Sequence, residues 1–129
     1  MEDNPGDVGL IREALEANSI ECELAVIADG ETAIQFIQGL EADHERCPDL
    51  VILDLNLPRR SGWEVLQIMR AGAGCGRMPI MILTSSDNEK DRSQATRLGA
   101  SEYVRKPTRL ADFMKVGGAI GQILKRKLS

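Results

Sequence analysis

The sequence predicts an α/β domain: a parallel sheet with helices packed on both faces. Two observations carry that expectation. Leu50–Leu53 (LVIL) and Ile80–Leu83 (IMIL) are runs without a polar residue, as strands buried on both faces require. Around them, segments with helical periodicity alternate with short extended ones, the pattern of βα units. No internal repeat or linker divides the chain, and 129 residues suit a single domain.

The elements follow in order. Asn4 is placed to cap a helix with Pro5 at its first position, and Val8, Ile11 and Leu15 share one face. Leu24–Ala28 reads as a short strand. Asp29 caps a second helix carrying Ala33, Ile37 and Leu40 on one side. The LVIL strand follows Pro48. Ser61 and Glu64 have capping-box spacing and open a helix with Val65, Leu66 and Met69. After the IMIL strand, Asp87 or Asn88 caps a mostly polar helix ending near Gly99. Ser101–Val104 reads as a strand, and Thr108 starts a final helix reaching about Lys127.

Composition removes several function classes. No apolar run approaches the ~20 residues of a membrane span. No charged-then-apolar leader opens the chain, so a cytoplasmic protein is expected. Cys22, Cys47 and Cys75 are odd in number and lack CxxC spacing, which reads as reduced thiols. Four aromatics (Phe36, Trp63, Tyr103, Phe113) are too few for a base-stacking surface, so no nucleic-acid partner is expected. The net charge of −4 conceals a division: the chain through Asp54 holds 14 acids and 2 bases, and the remainder holds 6 acids and 14 bases. Plain neutralisation in the fold explains this, as would an acidic cation site facing a basic phosphate site.

Parallel sheets place their sites beyond the carboxyl ends of the strands. Asp54 follows LVIL, Thr84 follows IMIL, Lys106 closes the last strand before Pro107, and Glu2 and Asp3 precede the first helix. That edge therefore gathers three carboxylates, a hydroxyl and an ammonium. Clustered carboxylates repel unless a cation joins them, and an all-oxygen set without competing His or Cys suits Mg²⁺. A carboxylate beside Mg²⁺ can attack phosphorus and form an acyl phosphate. Lys106 and Thr84 would then neutralise and hydrogen-bond the transferring group.

With these residues in place the sequence resembles a response-regulator receiver domain of two-component signalling. The matching motifs are E-D-N-P (Glu2–Pro5), L-D-L-N-L-P (Leu53–Pro58), S-G (Ser61, Gly62), T-S-S (Thr84–Ser86), G-A (Gly99, Ala100) and Y-V-R-K-P (Tyr103–Pro107). The intervals from Asp54 to Thr84, Tyr103 and Lys106 are 30, 49 and 52 residues and match the family pattern. The E-D-N-P-x-D opening looks most like stand-alone bacterial receivers that serve phytochrome-type kinases. The resemblance implies a flavodoxin-like doubly wound sheet of order 2-1-3-4-5 and no output domain. It implies that Asp54 is the phosphoacceptor and Asp3 a Mg²⁺ ligand, with Glu2 holding the metal directly or through water. Asn56 would offer its backbone carbonyl, and Thr84 and Lys106 would bind the phosphoryl oxygens. Tyr103 would be the switch aromatic, paired with movement of Thr84. Side chains at Asn56 and Ser86 would tune the phosphoryl lifetime. The Lys106–Pro107 peptide is usually cis in the family. A sensor histidine kinase or histidine phosphotransfer protein would be the donor, and output would pass through protein contacts rather than turnover of a substrate. The face formed by Asn88–Gly99, Ser101–Val104 and Thr108–Lys127 is the candidate homodimer surface.

One departure stands out. A receiver opens with an apolar strand before its acidic pair, and here only Met1 precedes Glu2. That strand is central, so its neighbours are expected to keep open edges, and a start upstream of Met1 would explain the gap. Two competing readings follow. One is a phosphorylation-independent receiver acting as a scaffold. The other is an aspartyl-phosphate hydrolase, which Asn56 disfavours because such enzymes want a second carboxylate two residues after the nucleophile. His44 reads as a solvated loop residue, and Gly72, Gly74 and Gly76 as a connection rather than a phosphate loop, since no GK[ST] follows. Lys125–Lys127 read as complements to a helix C-terminus. Gly117, Gly118 and Gly121 imply close helix packing, a dimer contact or plain tolerance.

Overall fold

The computed structural model describes residues 1–42, 47–72, 77–86 and 88–128. His44, Gly74, Cys75, Gly76 and Asp87 lie outside them. Among the described residues there are five helices and three strands, alternating from α2 onward: α1 (Pro5–Ala17), α2 (Gly30–Ala42), β1 (Val51–Leu53), α3 (Gly62–Ala71), β2 (Ile80–Thr84), α4 (Glu89–Arg97), β3 (Glu102–Arg105) and α5 (Leu110–Leu128). The strands pair in parallel in the order β1-β2-β3, with Val51 opposite Ile80 and Ile82 opposite Tyr103.

Local chemistry sets the helix starts. The Asn4 side chain accepts the amides of Gly6 and Asp7, with Pro5 at the first helical position. Asp29 accepts the amide and hydroxyl of Thr32, and Asn88 accepts the amide of Lys90. At α3 only half of the capping box forms. Ser61 accepts the Glu64 amide at 3.4 Å, but the Glu64 carboxylate turns to Arg60, 2.9 Å away.

The sheet is buried from both sides because β2 alternates its side chains between two cores. Ile80 and Ile82 join Val51, Leu53, Ile37, Leu66 and Met69 under α2 and α3. Met81 and Leu83 join Ile11, Leu15, Phe113, Val116 and Ile120 under α1 and α5. That division is the reason LVIL and IMIL lack polar positions. α1 and α5 approach closely: a Cβ on Gly117 would stand 2.3 Å from the Ala14 carbonyl oxygen. Of the three readings of the α5 glycines, Gly117 therefore fits close packing within this chain.

Two expectations about the sheet are corrected. Leu24–Ala28 forms no strand, and Val26 is 45% exposed. The cause lies at the N-terminus. Met1 and Glu2 occupy the end of a slot between residues 24–28 and β1, where the Glu2 amide donates to Ile27 O (2.8 Å), the Met1 ammonium to Ile52 O (2.8 Å) and the Asp54 amide to Met1 O (3.1 Å). These two residues bond to both sides but are too short to pair with the whole of either, so 24–28 lacks a partner along its length. Second, the Lys106–Pro107 peptide is trans, because no cis bond occurs among the described residues. Trans is the lower-energy form even before proline. The thiol expectation also fails at one position: Cys47 is disulfide-bonded, whereas Cys22 is exposed and free. Local spacing such as CxxC reveals only pairs close in sequence.

The Met1 ammonium is pushed down from 8.0 to about 6, chiefly by desolvation and against the attraction of Glu2 and Asp54. Between pH 6 and 8 the unfolded chain holds this proton and the folded chain does not, so stability rises with pH across that window and is lost as pH falls through 6. Two pH units correspond to at most about 2.7 kcal/mol. Urea unfolding in EDTA should show this slope in the free-amine protein and lose it after N-terminal acetylation.

Candidate functional site

The carboxyl ends of the strands converge as the sequence predicts. β1 delivers Asp54, 4% exposed, and β2 delivers Thr84, fully buried. The Lys106 amide donates to Thr84 O at 2.7 Å, so the lysine is fixed as β3 ends. The Met1 bonds to Ile52 and Asp54 hold Glu2 alongside, 6% exposed. Gly62 lets α3 start directly beneath the loop that follows β1: its amide donates to Leu55 O, and a Cβ there would lie 2.4 Å from Asp54 O. The Gly62→Ala variant should lose about 3 kcal/mol of stability, the upper end of overpacking costs, in a denaturant titration.

Lys106 is the electrostatic centre. Its ammonium lies 2.7 Å from Asp54 Oδ2, 2.8 Å from Glu2 Oε2 and 2.9 Å from Asp7 Oδ2. Burial pulls its pKa down, but the hydrogen bonds to Asp54, Glu2 and Asp7 outweigh it and hold the group above the ordinary lysine value. Burial raises the Glu2 pKa, with the bonds from Lys106 and the Asn4 amide opposing. The second Asp54 oxygen accepts the Asn56 amide at 3.0 Å, and Asn56 Nδ2 reaches the Thr84 hydroxyl at 3.4 Å.

Glu2, Asp3 and Asp54 each offer a carboxylate oxygen, all within 4.8 Å of one another. Oxygens about 2.1 Å from one Mg²⁺ span at most about 4.2 Å, so small side-chain rotations bring this trio into range. Three carboxylates contact the Lys106 ammonium and Asp3 lies beside two of them, so a divalent cation would relieve the crowding of negative charge. The residues fit a hard metal ion.

The outer residues have distinct partners. The Tyr103 ring is half-buried beneath Arg92, with the guanidinium 4.8 Å from the ring centre, and its hydroxyl donates to Ser86 O at 3.0 Å. The Ser86 hydroxyl donates to Asp91 in α4 at 2.7 Å. Sequence reasoning met Asp7 only as the last residue of E-D-N-P-x-D and gave it no role in the site. The signal was its place in the first turn of α1, directly after the Asn4 cap that follows Glu2 and Asp3.

Comparisons with known proteins bear on the family and the fold. The family model for the response regulator receiver domain matches residues 1–116. Response regulator Rcp1 of Synechocystis sp. is 35% identical over 117 residues, 90% of this chain and 80% of Rcp1. The phosphorylated cyanobacterial phytochrome response regulator RcpA superposes with a TM-score of 0.83 at 31% identity, covering 96% of this chain and 89% of RcpA. The Mn²⁺-bound form of Rcp1 superposes with a TM-score of 0.81 at 34% identity, covering 95% of this chain and 88% of that one. None of the described helices is long and apolar enough to cross a membrane. Motif spacing, parallel sheet, acidic cluster and family match converge: the chain belongs to the response regulator receiver domain family.

Proposed function

We propose that Asp54 accepts a phosphoryl group from a phosphohistidine on a sensor histidine kinase or histidine phosphotransfer protein, in a Mg²⁺-dependent reaction in the cytoplasm. The observation that carries this reading is the Lys106 ammonium 2.7 Å from Asp54 Oδ2, beside the Glu2–Asp3–Asp54 trio. Glu2, Asp3, Asp54 and the Asn56 carbonyl would hold Mg²⁺. When bound, the ion would neutralise charge on the acceptor and the phosphoryl oxygens. An Asp54 oxygen attacks phosphorus, the P–N bond breaks as the P–O bond forms, and the imidazole recovers a proton. Lys106 and the Thr84 hydroxyl hold the phosphoryl oxygens and stabilise their charge.

Signal output follows from what surrounds Thr84. Its hydroxyl now accepts from Asn56, and turning toward a phosphoryl group would break that bond and vacate space toward Tyr103. Tyr103 is tied to Ser86 and Arg92, so its movement would reach the α4–β3–α5 face. That face is offered to a downstream protein or a second copy. Asn56 and Ser86 set how readily water reaches the acyl phosphate.

Incubation with a small phosphodonor and Mg²⁺, followed by intact mass, tests the reading. One phosphoryl adduct is expected on the wild type and none on Asp54→Asn. A folded wild type that takes no phosphoryl group would overturn it in favour of a scaffold.

A further inference from the structure

We infer that Asp7 is a positioning residue for Lys106, holding the ammonium in place once Glu2 and Asp54 are claimed by metal and phosphoryl group. The inference rests on the proposed role of Asp54 and goes beyond it, because Asp7 does not belong to the Glu2–Asp3–Asp54 trio.

The geometry sets up a competition. A lysine ammonium has three N–H donors. Glu2, Asp7 and Asp54, at 2.8, 2.9 and 2.7 Å, supply an acceptor for each of them. Two of these acceptors, Glu2 and Asp54, also belong to the trio that fits a cation. A cation held there would draw on their oxygens and weaken two of the three contacts of Lys106. Asp7 stands outside that trio and is fixed independently, since its amide is bonded to the Asn4 cap in the first turn of α1. It remains as the anchor that keeps Lys106 in the cleft. At one-fifth exposed, Asp7 keeps more contact with solvent than Glu2 or Asp54, so holding the ammonium costs it less hydration.

Removing Asp7 has two consequences on this reading. The ammonium would cling to Glu2 and Asp54 and oppose metal binding. It would also be less well placed against the phosphoryl group. A merely structural Asp7, favourable at a helix N-terminus, would do neither through Lys106.

The test is a double-mutant cycle with Asp7→Asn and Lys106→Met, using metal-free protein and Mg²⁺ alone in calorimetry, then the small phosphodonor. Asp7→Asn is expected to weaken Mg²⁺ binding and slow phosphoryl uptake, each about tenfold, the scale of one charged hydrogen bond. In the Lys106→Met background the same change should alter Mg²⁺ affinity by no more than about twofold. Asp7→Glu, which keeps the charge and can reach the ammonium, should restore most of the loss. Equal weakening in both backgrounds would overturn the proposal, as would an unchanged Asp7→Asn. If the wild type takes no phosphoryl group, the acceptor reading fails, yet the Mg²⁺ calorimetry still decides the role of Asp7.

Discussion

Lys106→Met should lower the stability of the metal-free protein by about 3 kcal/mol at pH 8. Lys106 is 15% exposed, and its partners Glu2 and Asp54 are 6% and 4% exposed, so the pair energies belong to the buried regime. Removing the ammonium leaves Glu2, Asp7 and Asp54 as neighbouring charges with no compensating cation. Millimolar Mg²⁺ should return much of the loss, and the variant should bind Mg²⁺ more tightly than the wild type because nothing competes for Glu2 and Asp54. Phosphoryl uptake should nevertheless fall at least about a hundredfold, since a preorganised cation at the transferring group is gone. Urea titrations with EDTA and with Mg²⁺, alongside intact mass, read all three effects. An unchanged stability in EDTA would mean that the three contacts contribute nothing net.

Joining five apolar, β-branched residues ahead of Met1 should raise stability by about 3 kcal/mol. The slot between residues 24–28 and β1 already orients such a segment: Met1 and Glu2 bond to Ile27, Ile52 and Asp54 in the pattern of a parallel strand. A strand continuing that register would cover the exposed Val26 and complete the free edge of β1. It would also replace the buried ammonium of Met1 with a peptide bond, so the pH slope between 6 and 8 should vanish with it. Hydrogen exchange should slow at residues 24–28, which would become a strand. A proline-containing extension of equal length is the control, because it cannot donate to the ladder. No gain in stability and no new protection would show that the slot does not accept a strand.

The site was more legible in the sequence than the sheet. Asp54, Thr84 and Lys106 each directly follow an apolar or short extended run, and a strand end is a local signal. The caps at Asn4, Asp29 and Asn88 were legible for the same reason, since a side chain and an amide two or three residues on decide each one. Leu24–Ala28 misled because its apolar pattern is that of a strand. Whether it becomes one depends on a neighbour along its whole length, and Met1 and Glu2 supply only the last rung.

By itself, then, the sequence determined which segments could be strands and helices, which polar residues end them, and the spacing that marks the family. The tertiary structure alone decided that Asp7 joins Lys106, that Glu64 answers Arg60 rather than completing its cap, that Cys47 is bridged, and that Lys106–Pro107 is trans. The physical reason is one of range. Periodicity, capping and strand ends are set by residues within about one helical turn. An ammonium chooses among carboxylates, and a strand finds its edge, only after distant segments have met.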